Sequence, residues 1–251
     1  MTQFSTVYAE CYDLIHSKKS YENEISQLLK FIKIHFKTLD QIKLLDFGCG
    51  TGGHLEKLHG TNLSLTGYDI NRNMLAIARK RLKNIEFYSE LENIGNHYDL
   101  VYSLFDVINY QHTDDLLKNY LKSINSVLAP GGILVCDGWN LSGVKLDPPS
   151  MSKRTFKYRN TFVTREVEPL KSIEKNITKL KITLIEESKK EILVQEMHTM
   201  RSFDPIELTN AALELGFSNI EFKDGSNWGE DLRNDSWRFV MFATKSIREH
   251  E

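Results

Sequence analysis

The ten residues Leu44-Leu45-Asp46-Phe47-Gly48-Cys49-Gly50-Thr51-Gly52-Gly53 constrain the fold more than any other segment. Apolar residues run into a carboxylate, a glycine turn follows, and His54-Leu55-Glu56-Lys57-Leu58 reads as helix. That order describes a strand that ends in a tight loop and feeds a helix. The glycines strip the loop of side chains, so a ligand can lie against bare backbone at the helix start. Their spacing fits two patterns. Gly48, Gly50 and Gly53 satisfy G-x-G-x-x-G, and Gly48, Gly50 and Gly52 satisfy G-x-G-x-G. The glycines alone do not choose the ligand.

Strand and helix signals alternate after the loop. Residues 63–69 read as a second strand ending in Asp69, and Asn71 caps a helix through Leu82 with Leu75, Ala78 and Leu82 on one face. Residues 85–88 and 98–103 read as further strands. A helix from about 113 to 128 is stopped by Pro130-Gly131-Gly132, and 133–137 is a fifth, fully apolar strand. Such alternation predicts an α/β fold, a Rossmann-like, doubly wound, mostly parallel sheet. Ligands bind at the carboxyl ends of its strands, where Asp46, Asp69, Ser103 and Asp137 are expected. From about 145 to 201 no convincing helix appears. Leu180, Ile182 and Leu184 alternate with polar residues, and Ile192, Val194, Glu196, His198 and Met200 share one face by period two. This predicts an antiparallel β-sheet inserted after the fifth strand. Asp204-Pro205-Ile206-Glu207 opens a helix that Gly216 ends, and 220–222 with 237–243 form a closing strand pair. The expected parts are therefore 1–144 (N-terminal helices and cofactor-binding core), 145–201 (inserted sheet) and 202–251 (C-terminal helix and closing strands).

The 251 residues, 41% hydrophobic and 26% charged, suit one large globular domain or a domain with an insertion. A net charge of −2 offers no electrostatic footprint for nucleic acid. No run of about 18 apolar residues predicts a membrane span. Met1-Thr2-Gln3-Phe4-Ser5 lacks the charged-then-apolar order of a signal peptide. Cys11, Cys49 and Cys136 are odd in number and far apart, which fits neither a metal motif nor a disulfide framework and suits a reducing cytoplasm.

Asp46 weighs between the ligands. A carboxylate beside a pyrophosphate would be repelled, whereas a ligand with a cationic head wants one. S-adenosylmethionine carries a sulfonium and an ammonium and no phosphate. Asp46-Phe47-Gly48-Cys49-Gly50-Thr51-Gly52 resembles, without a gap, the first motif of the class I S-adenosylmethionine-dependent methyltransferases. Asp69, about twenty residues beyond the loop, suits a carboxylate that accepts both ribose hydroxyls of an adenosine; a dinucleotide would want the same acid. Three further stretches decide. Asp69-Ile70-Asn71-Arg72-Asn73-Met74-Leu75-Ala76-Ile77-Ala78, Tyr98-Asp99-Leu100-Val101 and Leu128-Ala129-Pro130-Gly131-Gly132 are similar to that family's later motifs in order and spacing. The likeness covers about residues 43–137.

The flanks resemble a subset. Tyr8–Asp13, Lys19–Glu24, Ser103–Tyr110 and Glu196-Met197-His198-Thr199-Met200-Arg201 look similar to small-molecule N-methyltransferases that act on nucleotide-linked amino sugars. The resemblance implies a cofactor site of Tyr12, Tyr21, Asp46, Gly48, Cys49, Gly50, Gly52, Asp69, Ile70, Met74, Glu90, Leu91, Ser103, Leu104 and Phe105. Glu90 stands in Ser89-Glu90-Leu91 where the family commonly has a Gly-Asp pair. Tyr12 and Tyr21 would approach the cofactor from a closing N-terminal helix, since aromatic faces attract a sulfonium; they equally fit the packing of an amphipathic helix.

The reaction is an in-line displacement, so alignment and exclusion of water are the main requirements. An amine need only be neutral when it attacks, whereas a hydroxyl also needs its proton accepted. His198, Tyr12 and Tyr110 are the catalytic candidates. His198 suits a base or a structural histidine. Asp106, Asn109, Tyr110 and Arg201 are the acceptor candidates, Arg201 as a fork for a phosphate or as a salt bridge at the sheet edge. His112-Thr113-Asp114-Asp115 fits a helix cap better than a metal site, so no metal is expected. The expected protein is a cytoplasmic methyltransferase for a sugar or nucleotide-linked sugar, without nucleic-acid or membrane partners. Its inserted sheet roofs the acceptor, and the same sheet can form a homodimer contact. Transfer to a hydroxyl of another phosphate-bearing metabolite is the alternative, and a nicotinamide-dependent oxidoreductase the distant third.

Overall fold

A computed structural model describes residues 3–37, 40–95, 97–170, 172, 174 and 176–247. Met1 and Thr2, part of the segment read above for a signal peptide, lie outside them. The chain opens with helices α1 (Thr6–Ile15) and α2 (Tyr21–His35). Then come β1 (Lys43–Phe47), α3 (Gly53–Leu58), β2 (Ser64–Tyr68), α4 (Arg72–Arg81), β3 (Glu86–Tyr88), β4 (Tyr98–Ser103), α5 (Asp114–Val127) and β5 (Leu128–Trp139). A short helix α6 (Leu141–Leu146) leads to β6 (Ser152–Tyr158), β7 (Thr161–Leu170), β8 (Ile177–Glu186) and β9 (Glu191–Arg201). Helix α7 (Pro205–Glu214) and strands β10 (Phe217–Asp224) and β11 (Arg238–Lys245) complete it.

Among the described residues the central sheet has seven strands in the order β10-β11-β5-β4-β1-β2-β3, and β6 to β9 form a second, four-stranded sheet. Strands β1 to β5 pair in parallel, and β11 runs antiparallel to both β5 and β10. The order reverses between β1 and β4, and a crevice opens there beyond the strand ends. Period-two alternation sends neighbouring apolar residues to opposite faces. Leu44, Leu100, Val135 and Val240 pack under α2, α3 and α4, while Leu45, Val101, Leu134 and Met241 pack under α5 and α7. Burial of both faces explains why these strands read as continuous apolar runs.

The second sheet is held over the first by α1. Tyr8, Cys11 and Ile15 share a core with Val163, Val167, Ile182, Leu184 and Val194. On its other side α1 is tied to the glycine loop: Thr51 Oγ1 donates to Asp13 at 2.7 Å, and Arg81 pairs with the same carboxylate. Two local expectations change. Helix α5 ends at Val127, just ahead of Pro130-Gly131-Gly132, and that motif, read only as a stop, forms the irregular start of β5. Asp137 therefore lies within β5 rather than at its end. Helix α6, at the start of the inserted region, lacks any strong periodic signal and is anchored instead by Val144 beside Trp139.

Candidate functional site

A cavity of about 700 Å³ lies at the switch point, between the ends of β1, β2 and β4 below and the second sheet above. That volume is ordinary for a site taking a cofactor and a small molecule. Its floor begins with the glycine loop. Gly48 (φ +87), Gly50 (φ +55) and Gly52 (φ +82) are all left-handed, the region that favours glycine. A Cβ on Gly48 would also meet Val107 at 2.7 Å. The loop is pinned from β2: Gly48 and Cys49 N–H donate to Tyr68 O at 2.7 and 2.9 Å.

Asp69 closes the next turn. Its Oδ2 accepts from Gly50 N at 2.8 Å and its Oδ1 from Asn71 N at 2.7 Å, while Asn71 caps α4. Burial raises the Asp69 carboxyl above its ordinary value, and those two backbone N–H groups oppose the rise. Asp46 is almost fully buried behind the loop, off the cavity wall, and its Oδ2 has no hydrogen-bond partner among the described residues. Burial pushes its carboxyl well above the usual range, with the nearby Tyr102 hydroxyl opposing. On the wall itself the bare glycine loop meets Asp69, and a carboxylate there suits ribose hydroxyls better than a pyrophosphate.

The middle of the cavity carries backbone strain. Phe105 (φ +71) and Asp106 (φ +65) are consecutive left-handed residues just after β4. Lys19 Nζ lies 3.8 Å from the Phe105 ring centre, and Tyr12 and His16 meet that ring edge-on. Asp106 is held by Arg238 on one oxygen; its Oδ1 is buried without a partner. Burial raises the Asp106 carboxyl and Arg238 opposes the rise. Burial also brings His16 down to about 3, so that imidazole is neutral.

Opposite the glycine loop a chain of hydrogen bonds crosses from floor to roof. Tyr110 Oη lies 2.9 Å from His198 Nδ1, and His198 Nε2 lies 3.1 Å from Glu196 Oε2. Burial pushes the Tyr110 phenol well above its ordinary value, so it stays protonated.

The cavity wall brings together Tyr12, Tyr21, Gly48, Cys49, Gly50, Asp69, Ile70, Met74, Leu91, Leu104, Phe105, Asp106, Tyr110 and His198. Asp46, Gly52, Glu90, Ser103, Asn109 and Arg201 lie off it. Each is engaged elsewhere or set back. Gly52 faces Ala78 and Leu82. Glu90 pairs with Arg72 at 2.8 Å in solvent. Ser103 Oγ donates to Phe47 O at 2.6 Å. Asn109 Nδ2 donates to Arg201 O, and its Oδ1 accepts from Trp139 N at 3.3 Å, so it rivets the roof to β5. Arg201 pairs with Asp114 at 2.8 Å and with Glu207, a salt bridge at the edge of the second sheet.

Sequence reasoning missed Phe4, Tyr8, His16, Trp139, Arg165 and Arg238, all on the wall. Arg165 had a readable signal. By period two it shares the inward face of β7 with Val163 and Val167, an arginine on an apolar face. Its guanidinium faces the Tyr8 hydroxyl, its Nε is buried without a hydrogen-bond partner, and it makes no ion pair among the described residues. Among those residues no helix is long and apolar enough to cross a membrane, and no group of three or more His, Cys, Asp or Glu side chains is placed to hold a metal ion.

Residues 44–132 match the family described as Methyltransferase domain. The chain is 30% identical over 137 residues to a Streptomyces venezuelae dTDP-3-amino-3,4,6-trideoxy-alpha-D-glucopyranose N,N-dimethyltransferase, covering 53% of this chain and 57% of that protein. A Streptomyces fradiae dTDP-3-amino-3,6-dideoxy-alpha-D-glucopyranose N,N-dimethyltransferase is 25% identical over 91% of this chain and 90% of that one. The chain thus spans a little over half of the first relative and nearly all of the second. Two solved structures share the whole fold: Streptomyces venezuelae DesVI (TM-score 0.75, 21% identity, 95% of this chain and 98% of that one) and the sugar N-methyltransferase KedS8 from Streptoalloteichus (TM-score 0.76, 18% identity, 94% and 92%).

Proposed function

We propose that this chain, whose residues 44–132 match a methyltransferase domain, is a class I S-adenosylmethionine-dependent enzyme that methylates an amine on a nucleotide-linked sugar. The observation that carries the reading is the division of charge in the cavity. The cofactor half has Asp69 on its wall and Asp46 behind it, and the acceptor half has Arg165 in the roof with no carboxylate paired to it. A cationic methyl donor suits the first half and a phosphate-bearing acceptor the second. The names of the relatives, whose substrates are dTDP-linked amino sugars, support the same class.

S-adenosylmethionine, when bound, supplies an electrophilic methyl group on a sulfonium. The chain's own residues bind and align. Asp69 offers carboxylate oxygens toward ribose hydroxyls, Ile70, Met74 and Leu91 give an apolar wall for a base, and Tyr12 and Tyr21 close over the loop. Leu104, Phe105 and Asp106 bound the space between the two halves. Asp106, with the Trp139 indole and Arg238 as its neighbours, would accept an N–H of an amine and orient its lone pair. His198, through Tyr110, is placed to take a proton that the acceptor gives up. Roof, α1 and floor would shield this space from water during transfer.

The test is transfer of a labelled methyl group to a panel of acceptors: a dTDP-linked amino sugar, its hydroxyl counterpart, the free amino sugar and a sugar phosphate. The expected result is label on the amine of the dTDP-linked sugar, with the free sugar a poor acceptor. Label on hydroxyls with the amine untouched overturns the amine reading and supports the O-methyl alternative.

A further inference from the structure

We propose that Glu196 is a positioning residue that fixes the tautomer of His198 and couples it to the docked N-terminal segment. The proton-accepting role of His198 rests on the function proposed above; the tautomer does not. Glu196 is 3% exposed, yet three N–H groups converge on its carboxylate. Phe4 N donates to Oε2 and Ser5 N to Oε1, each at 2.8 Å, and His198 Nε2 stands 3.1 Å from Oε2. Burial works against the charge, but His198, Ser5 and Phe4 outweigh it and hold the carboxyl below its ordinary value. An ionised carboxylate only accepts, so Nε2 carries a proton, and in the neutral imidazole Nδ1 is then bare. Bare Nδ1 takes the hydrogen bond of the Tyr110 hydroxyl. The lone pairs of Tyr110 then remain for the cavity, whose wall Tyr110 forms with His198.

The proton balance follows. As the acceptor becomes methylated, its proton passes to the Tyr110 oxygen while the Tyr110 proton passes to Nδ1. The product is an imidazolium between a neutral phenol and a carboxylate, the arrangement that best stabilises it. With the opposite tautomer Nδ1 would already hold a proton and the path would be closed.

Two of the three donors to Glu196 belong to the segment that opens α1, so the relay is complete only with that segment in place. The segment is held from both halves of the cavity. Asn71 Nδ2 donates to Gln3 O and Phe4 O at 3.3 and 3.0 Å, and Gln3 Nε2 donates to Met197 O at 3.2 Å. The Phe4 ring meets the His198 ring edge-on at 5.1 Å, and Tyr8 lies 5.6 Å from it. Because Asn71 N also donates to Asp69, a continuous hydrogen-bonded path joins the cofactor carboxylate to the acceptor-side imidazole. Glu196 is its junction.

Nitrogen NMR of imidazole-labelled protein tests this without any substrate. The His198 signals are assigned by their loss in His198→Asn. We expect the Nε2–H tautomer in the wild-type protein, and a switch or a tautomer mixture in Glu196→Gln, whose amide can donate to Nε2. A wild-type Nδ1–H tautomer overturns the proposal even where the variant fails to fold. With any accepted substrate, Glu196→Gln and Tyr110→Phe should each lower kcat about 10- to 100-fold at unchanged KM. The double variant should be no worse than the worse single one; losses that multiply overturn the shared role. A correct tautomer with no transfer to the dTDP-linked panel would count against the proposed substrate and not against Glu196.

Discussion

The two halves of the cavity are built differently. The cofactor half is assembled from short, nearly contiguous turns at the ends of β1 and β2, where backbone N–H groups, left-handed glycines and one strand-end carboxylate do the holding. The acceptor half is assembled from segments far apart in the chain: Phe4 to Tyr12, Phe105 to Tyr110, Trp139, Arg165 and His198. Backbone-built sites need a local sequence, whereas side-chain sites need only a topology that brings their members together. The contrast implies that each half can be damaged without the other.

The largest separation is expected from His198→Ala, which would remove the proposed proton acceptor: a fall in kcat of about 100-fold or more, steeper for a hydroxyl acceptor than for an amine, with S-adenosylhomocysteine affinity unchanged. An equal and small loss on both acceptors would remove the base role. Asp69→Ala should do the reverse, weakening S-adenosylhomocysteine in calorimetry about 10- to 100-fold, since a charged acceptor and the anchor of Gly50 and Asn71 go together. A loss below threefold would place the ribose elsewhere. Arg165→Met should raise KM for the dTDP-linked acceptor about tenfold and leave the free amino sugar and the cofactor unaffected. A matching rise for the free sugar would make Arg165 a packing residue.

The smallest effect concerns stability on the cofactor side. Burial opposes the charge on Glu24, but His54 at 2.6 Å and Lys19 outweigh it and bring the carboxyl down to about 2. A carboxyl lowered on folding adds stability above its unfolded value of about 4.5, and that stability is lost as pH falls through about 2. Denaturant titrations should show Glu24→Gln less stable than wild type by at most about 3 kcal/mol at pH 7, with the gap narrowing toward pH 2. A gap that widens on acidification would refute the ion pair.

The sequence displayed the cofactor half because its physics is local. Left-handed turns call for glycine, and Asp46 and Asp69 mark strand ends, so Leu44 to Leu75 is readable in order. The roof was legible as alternation in Leu180, Ile182 and Leu184, yet its chemistry was not. Arg201 read equally as a phosphate fork or a sheet-edge salt bridge, and its partners Asp114 and Glu207 come from across the fold, a pairing that no sequence spacing announces. Asn109 likewise looked like an acceptor contact and is a rivet between sheets. Phe4, Tyr8 and His16 were passed over because an aromatic on a short helix reads as core until the second sheet fixes which face is lined.

The most direct test of the account is a calorimetric titration of the protein with S-adenosylhomocysteine and, separately, with NAD. Saturable binding of S-adenosylhomocysteine is expected, weakened about 10- to 100-fold in Asp69→Ala and kept in Arg165→Met, with no heat from NAD. Saturable NAD binding with no response to S-adenosylhomocysteine would contradict it.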